Sequence, residues 1–316
     1  MGVITLCPGQ GAQHVGMGRA WRDNSEAAAR TFAEADDLLG MDLSRICFEG
    51  PSQELDRTDT AQVAIYVTSI ACLRALEDLG TLSRPGQDGP SQVAGAAGLS
   101  LGEFTALHVA GALDFETGLR LVQLRGRAMQ EAAEAAPSGM VALVGADEQQ
   151  AIDLCKQACA ATGNGALLVP ANFNCPGQVV VSGSRSACKQ ALPIAEKMGL
   201  RAKTLAVSGA FHSPLMQPAA ERLAEALEQS EWHEPAVPVI SNVTALPHDG
   251  DARTISTRLV EQLTHPVRWS QSMQWMLGNL EGRLVELAPG KVLAGLMRRI
   301  DRSARVENFS DPHSPS

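Results

Sequence analysis

Val93-Ala94-Gly95-Ala96-Ala97 runs directly into Gly98-Leu99-Ser100-Leu101-Gly102-Glu103, and this stretch decides the fold. The first five residues are small and apolar, as a short strand covered on both faces requires, and Glu103 to Leu113 carries apolar residues at helical spacing. A Gly-x-Ser-x-Gly turn between strand and helix lifts the serine hydroxyl out of the backbone, beside N–H groups and a helix N-terminus. Ser100 therefore reads as a nucleophile. Hydrolases, transferases and inactive relatives share such a turn, and in a chain of 29 glycines short Gly/Ser patterns also arise by chance.

Outward from that turn, strand-like and helix-like segments alternate: Val3 to Leu6, Ala27 to Leu39, Ala61 to Leu79, Val93 to Ala97, then Glu103 onward. Such alternation predicts an α/β layer fold with a mainly parallel sheet. Between Pro137 and Leu205 the order changes to strand (Met140–Val144), helix (Glu148–Ala161), strand (Leu167–Val169), strand (Gln178–Ser182), helix (Arg185–Met198) and strand (Arg201–Leu205). This βαββαβ order predicts an inserted ferredoxin-like module. The expected organisation is a discontinuous, α/β-hydrolase-like large domain over 1–136 and 206–307, a small subdomain over 137–205, and a disordered tail from Asn308 to Ser316.

Composition narrows the function classes. With 316 residues, 45% of them hydrophobic, the chain can bury a large core. A formal net charge of −9 argues against nonspecific binding to nucleic acid or to an anionic membrane. Seven cysteines without framework spacing predict reduced thiols rather than a disulfide scaffold, and Cys155 and Cys159, with no histidine partner, predict no metal site. No basic leader, myristoylation signal or membrane-length apolar run is present, so the expected setting is cytoplasmic, or an organelle interior after loss of a transit peptide.

A serine nucleophile needs a base. His212, in the tight turn Gly209-Ala210-Phe211-His212-Ser213-Pro214 before a helix, is the first candidate, and His14 in a Gly-rich loop is the second. His108 lies on the helix that follows Ser100, about 12 Å along it, and is too far. Arg125 shares a helical face with Leu121, Ala128 and Ala132, so its guanidinium is expected to be buried. It either pairs with an internal carboxylate or presents its planar fork to a substrate carboxylate. Gly9-Gln10-Gly11-Ala12-Gln13 fits neither dinucleotide nor P-loop spacing. It is a plain tight turn, or its N–H groups help form an oxyanion hole.

Taken together, Pro8 to Gln13, Gly98 to Glu103, Arg125 to Met129, Asn172 to Gln178, Gly209 to Met216 and Pro289 to Leu293 resemble the malonyl-CoA:acyl carrier protein transacylase family. These segments run in family order from about residue 3 to 300. The resemblance implies Ser100 as nucleophile, His212 as base, the backbone N–H groups of Gln10 and Leu101 as oxyanion hole, and the Gln262 carbonyl as the group orienting the histidine. It implies that Arg125 clamps the malonyl carboxylate, with Phe211, Met129, Asn172 and Asn174 at the substrate. The implied partners are malonyl-CoA and acyl carrier protein, whose phosphopantetheine thiol accepts the group. No other cofactor or metal, no nucleic acid and no membrane is implied, and a monomer is expected. Many members carry His before the nucleophile where this chain has Leu99; apolar residues occur there in parts of the family.

Overall fold

The computed structural model describes residues 2–89, 91–207 and 209–312. Its strands, in chain order, are β1 (Val3–Cys7), β2 (Val93–Gly98), β3 (Ser138–Val144), β4 (Leu168–Cys175), β5 (Gln178–Ser184), β6 (Arg201–Thr204), β7 (Val239–Ile240), β8 (Arg283–Leu287) and β9 (Val306–Phe309). They form two sheets. The larger has the order β7-β2-β1-β8-β9 with every pairing parallel, and the smaller has the order β4-β5-β3-β6 with every pairing antiparallel. The chain is thus an α/β protein with a parallel sheet and a small antiparallel one.

In the large sheet β1 is central and buried along its whole length, because helices cover both faces. The helix Thr58–Asp78 is buried on all sides from Thr60 to Leu73, as an apolar helix between layers must be. Strand order runs from β1 outward to β2 and β7, then resumes on the other side of β1 with β8 and β9. Ligands of open α/β sheets bind at the carboxyl ends of strands where the order reverses. The loops leaving β1, β2 and β8 meet there: a Cβ on Gly9 would overlap the Leu99 carbonyl, and one on Gly290 would lie 3.2 Å from the Ala12 carbonyl.

The small sheet carries the expected βαββαβ order, its helices being Glu148–Thr162 and Arg185–Lys197. Both pack on one apolar cluster that includes Val141, Leu143, Leu154, Val179 and Val181, separate from the main core. Asp147 starts the first helix with a capping box to Gln150, which satisfies N–H groups that helix ends leave open. β4 is longer than the sequence predicts and takes in Asn172 and Asn174. Register shifts beside Pro170 let the strand continue although proline lacks a ladder donor.

The expectation of a disordered tail from Asn308 is corrected. Asn308 and Phe309 end β9, whose parallel register on β8 pairs Glu286 with Asn308 and Leu287 with Phe309. The Asn308 amide donates to Gly290 O at 2.6 Å, and Trp21 Nε1 donates to Phe309 O at 3.0 Å. Burying an indole such as Trp21, 1% exposed, contributes roughly 4–6 kcal/mol at about 25 cal/mol per Å². The four-residue strand owes its order to partners 18 or more residues away, so no local pattern announces it. Residues 313–316 of that predicted tail lie outside the described residues. A smaller difference is at an element end: the helix after Ser100 stops at Val109. β7 ends at Ile240, and Asn242 lies in the loop that follows.

Candidate active site

Ser100 sits at the carboxyl end of β2 with φ +55°, a left-handed conformation costly for any residue with a Cβ. The flanking glycines make the turn possible. A Cβ on Gly98 would overlap the backbone of Gly102, and a Cβ on Gly102 would overlap the Cys7 carbonyl. Asn242, in the loop after β7, clamps the turn: its Oδ1 accepts from Ser100 N at 2.6 Å, and its Nδ2 donates to Gly98 O at 2.7 Å. Two neighbouring strands and one side chain thereby hold the strained serine in place.

His212 also has a left-handed backbone, φ +56°, in a turn closed by Ser213 Oγ donating to Ala210 O at 2.6 Å. Its Nε2 lies 2.8 Å from Ser100 Oγ and its Nδ1 lies 2.7 Å from the Gln262 carbonyl. A carbonyl only accepts, so Nδ1 carries the proton and Nε2 presents its lone pair to the serine hydroxyl. Burial, and then the nearby Arg125 charge, push the imidazole down to about 4, against the Gln262 bond that raises it. At neutral pH the ring is an uncharged acceptor. His14, the second candidate, is exposed, and its ring bonds Ala12 O at 3.3 Å rather than Ser100.

Arg125 is 1% exposed and reaches the same point. Nη2 donates to Ser100 Oγ at 3.1 Å and to Gln262 Oε1 at 2.8 Å, and Nη1 donates to Gln62 Oε1 at 2.6 Å. None of these acceptors is a carboxylate, and Nε has no partner among the described residues. Burial lowers the guanidinium to about 10, offset in part by Glu103, so it stays charged at neutral pH. Holding such a charge without its own ion-pair partner costs several kcal/mol, which an anionic ligand would offset. Of the two readings of Arg125, the internal ion pair is not formed among the described residues.

The remaining predicted residues are nearby to different degrees. Among the described residues the Gln10 and Leu101 N–H groups have no acceptor within the protein. Met129 is buried and its Sδ accepts from Gln62 Nε2 at 3.4 Å, next to the Arg125 anchor. Phe211 is buried beside His212, and Leu99 packs its side chain into an apolar cluster. Asn172 pairs by its backbone with Val267, in the loop beyond Gln262, whereas Asn174 Oδ1 is buried and has no partner among the described residues. Neither asparagine side chain hydrogen-bonds Ser100, His212 or Arg125.

Sequence reasoning missed Gln62, Glu103, Asn242 and His248, which surround the site. Gln62 had a signal, being polar within the apolar run Ala61 to Val67 of a wholly buried helix. The others carried none, since each has its meaning only through partners far along the chain.

Two buried histidines also set the acid stability. His108, bonded to Leu113 O at 3.0 Å, is pushed down to about 3 by burial. Both it and His212 protonate more readily in the unfolded chain, so their contribution is complete above about pH 6.5 and is lost as pH falls through about 4 and 3. Urea unfolding between pH 5.5 and 4.5 should show His108→Phe losing about 1.4 kcal/mol less per pH unit than the parent chain.

With this geometry in hand, the chain can be set beside known proteins. The acyl transferase domain model matches residues 5–310. A malonyl CoA-acyl carrier protein transacylase of Bacillus subtilis is 39% identical over 317 residues, covering 99% of this chain and 94% of that protein. The crystal structure of the corresponding transacylase of Xanthomonas oryzae superimposes with TM-score 0.90 at 38% identity, over 98% of this chain and 95% of the other. A structure of a type II PKS acyl-carrier protein in complex with its malonyl-transacylase matches with TM-score 0.89 at 36% identity, over 99% and 96%.

Proposed function

We propose that this chain, which belongs to the acyl transferase domain family and within it to the malonyl-CoA:acyl carrier protein transacylases, moves a malonyl group from coenzyme A to the phosphopantetheine thiol of an acyl carrier protein through an ester on Ser100. In the first half, Ser100 Oγ attacks the thioester carbonyl while His212 Nε2 takes its proton, and the Gln262 carbonyl bonded to Nδ1 steadies the imidazolium. The Gln10 and Leu101 N–H groups donate to the oxyanion. Collapse breaks the C–S bond, and the leaving thiolate takes the proton back from His212. In the second half the carrier thiol gives its proton to His212 and attacks the ester, and Ser100 leaves and is reprotonated.

The observation that carries this reading is Arg125 Nη2 at 3.1 Å from Ser100 Oγ, on a buried cation whose own bonds go only to neutral acceptors. An ester hydrolase has no use for such a charge; an acyl group ending in a carboxylate does. We assign Phe211, Met129, Asn172 and Asn174 to the substrate pocket. Phe211 crowds an α-methyl branch, so Phe211→Ser should raise methylmalonyl loading relative to malonyl by about 10-fold in competition. An unchanged ratio would reject the crowding.

The antiparallel strand order, which is 2-3-1-4 within the small unit, and its separate core support the ferredoxin-like description of 137–205. The parallel sheet with its serine turn supports an α/β-hydrolase-like unit around it, over 1–136 and 206–307. Lys291, Arg298, Arg302 and Arg305 line a groove of about 940 Å³, a cationic face that suits an acidic carrier protein. Among the described residues no helix is long and apolar enough to cross a membrane. We assign the chain to the cytoplasm, as a monomer. Metal is not needed: His212 and the N–H groups supply the proton transfer and charge stabilisation. The test is sequential incubation with malonyl-CoA and holo carrier protein, read by intact mass. The malonyl increment should move from the chain to the carrier, and release of free malonate in its place would make the chain a hydrolase.

A further inference from the structure

Glu103, on the first turn of the helix that follows Ser100, is fully buried. Its Oε2 accepts from Gln262 Nε2 at 2.6 Å and from Asn242 N at 3.1 Å, and its Oε1 accepts from His248 Nε2 at 2.8 Å. We infer that Glu103, held by His248, is a positioning residue for acyl selectivity: it fixes which way the Gln262 amide points and through it the pose of Arg125. This inference rests on the transacylase reading above.

A carboxylate can only accept, so Gln262 must turn its NH₂ towards Glu103, and the second hydrogen of that group goes to Ser100 O at 3.0 Å. The amide oxygen is then left facing Arg125 Nη2, at 2.8 Å. With the amide reversed, two donors would oppose each other and the guanidinium fork would be driven off its place beside Ser100. The backbone carbonyl of the same Gln262 holds His212 independently of the side chain, so base orientation survives a reversal. The defect therefore falls on the group that meets the malonyl carboxylate rather than on the proton transfer. His248 supplies the bond that keeps the second carboxylate oxygen from swinging away. Its ring borders a cavity of about 120 Å³ lined by Ser241, Thr244 and Leu246, which leaves room for changes there.

The experiment compares malonyl and acetyl loading onto Ser100 from the two CoA thioesters, by intact mass against time. Glu103→Gln, which lets Gln262 reverse, should lower the malonyl-to-acetyl rate ratio at least 10-fold. His248→Phe should lower it as well, and His248→Gln, which keeps an amide donor for Glu103, should retain it within about 3-fold, about half of the roughly 1.4 kcal/mol that a tenfold change represents. Equal losses for both acyl groups would make Glu103 merely structural and overturn the inference. A rise in the ratio for Glu103→Gln would overturn it too, because it would mean that Glu103 acts only as a distant counter-charge to Arg125. If the unaltered chain loads no malonyl group, the transacylase reading fails; if it loads and the ratios stay unchanged, only this inference fails.

Discussion

Ser100→Ala leaves the chain without a malonyl-sized mass increment after exposure to malonyl-CoA, whatever the incubation time. The reason is local. The hydroxyl lies 2.8 Å from His212 Nε2 and 3.1 Å from Arg125 Nη2, and among the described residues no other hydroxyl or thiol hydrogen-bonds that base. Methyl in place of hydroxymethyl keeps the backbone turn, because the strained φ is held by Gly98, Gly102 and Asn242 rather than by Oγ. Thermal unfolding should therefore be nearly unchanged while ester formation stops. A persistent increment on the alanine variant would move the nucleophile elsewhere and sink the assignment of the turn.

Arg125→Ala should cut malonyl loading by about 10²–10³-fold, the effect of removing a buried charge-assisted pair of roughly 3–4 kcal/mol. Acetyl loading should fall far less, because acetyl offers no carboxylate to the guanidinium. The pH dependence supplies an independent check. Arg125 is the second cause of the low His212 value, after burial. Its removal raises that value, so the acid limb of acetyl loading should shift to higher pH from its position near 4. Arg125→Lys keeps charge but not the fork, and should fall between the two. Equal losses with malonyl and acetyl would make Arg125 structural.

Much of the site was legible in the sequence for a physical reason that differs from residue to residue. The glycines around Ser100 are steric requirements of a tight strand-to-helix turn, so they stand together in the chain. Arg125 betrayed itself by lying on an apolar helical face, where a guanidinium has to have a purpose. His212 was marked by its turn, and the Gln262 carbonyl only by family resemblance, since a backbone oxygen leaves no trace in residue type. Asn242, Glu103 and His248 were not legible: an asparagine after a short strand, a glutamate on a first turn and a loop histidine are ordinary in those places. Strand β9 was hidden likewise, a short charged segment ordered by Glu286, Gly290 and Trp21.

The chain's local chemistry determined the alternation of strands and helices, the serine turn and the burial of Arg125, because periodicity and backbone sterics act over a few neighbouring residues. Tertiary structure decided which residues converge on that turn and how their donors and acceptors divide. Gln262 bonds Ser100 O, Glu103 and Arg125 through its side chain and His212 through its backbone. Hydrogen bonds between segments so far apart exist only once the sheet has brought its loops to one edge.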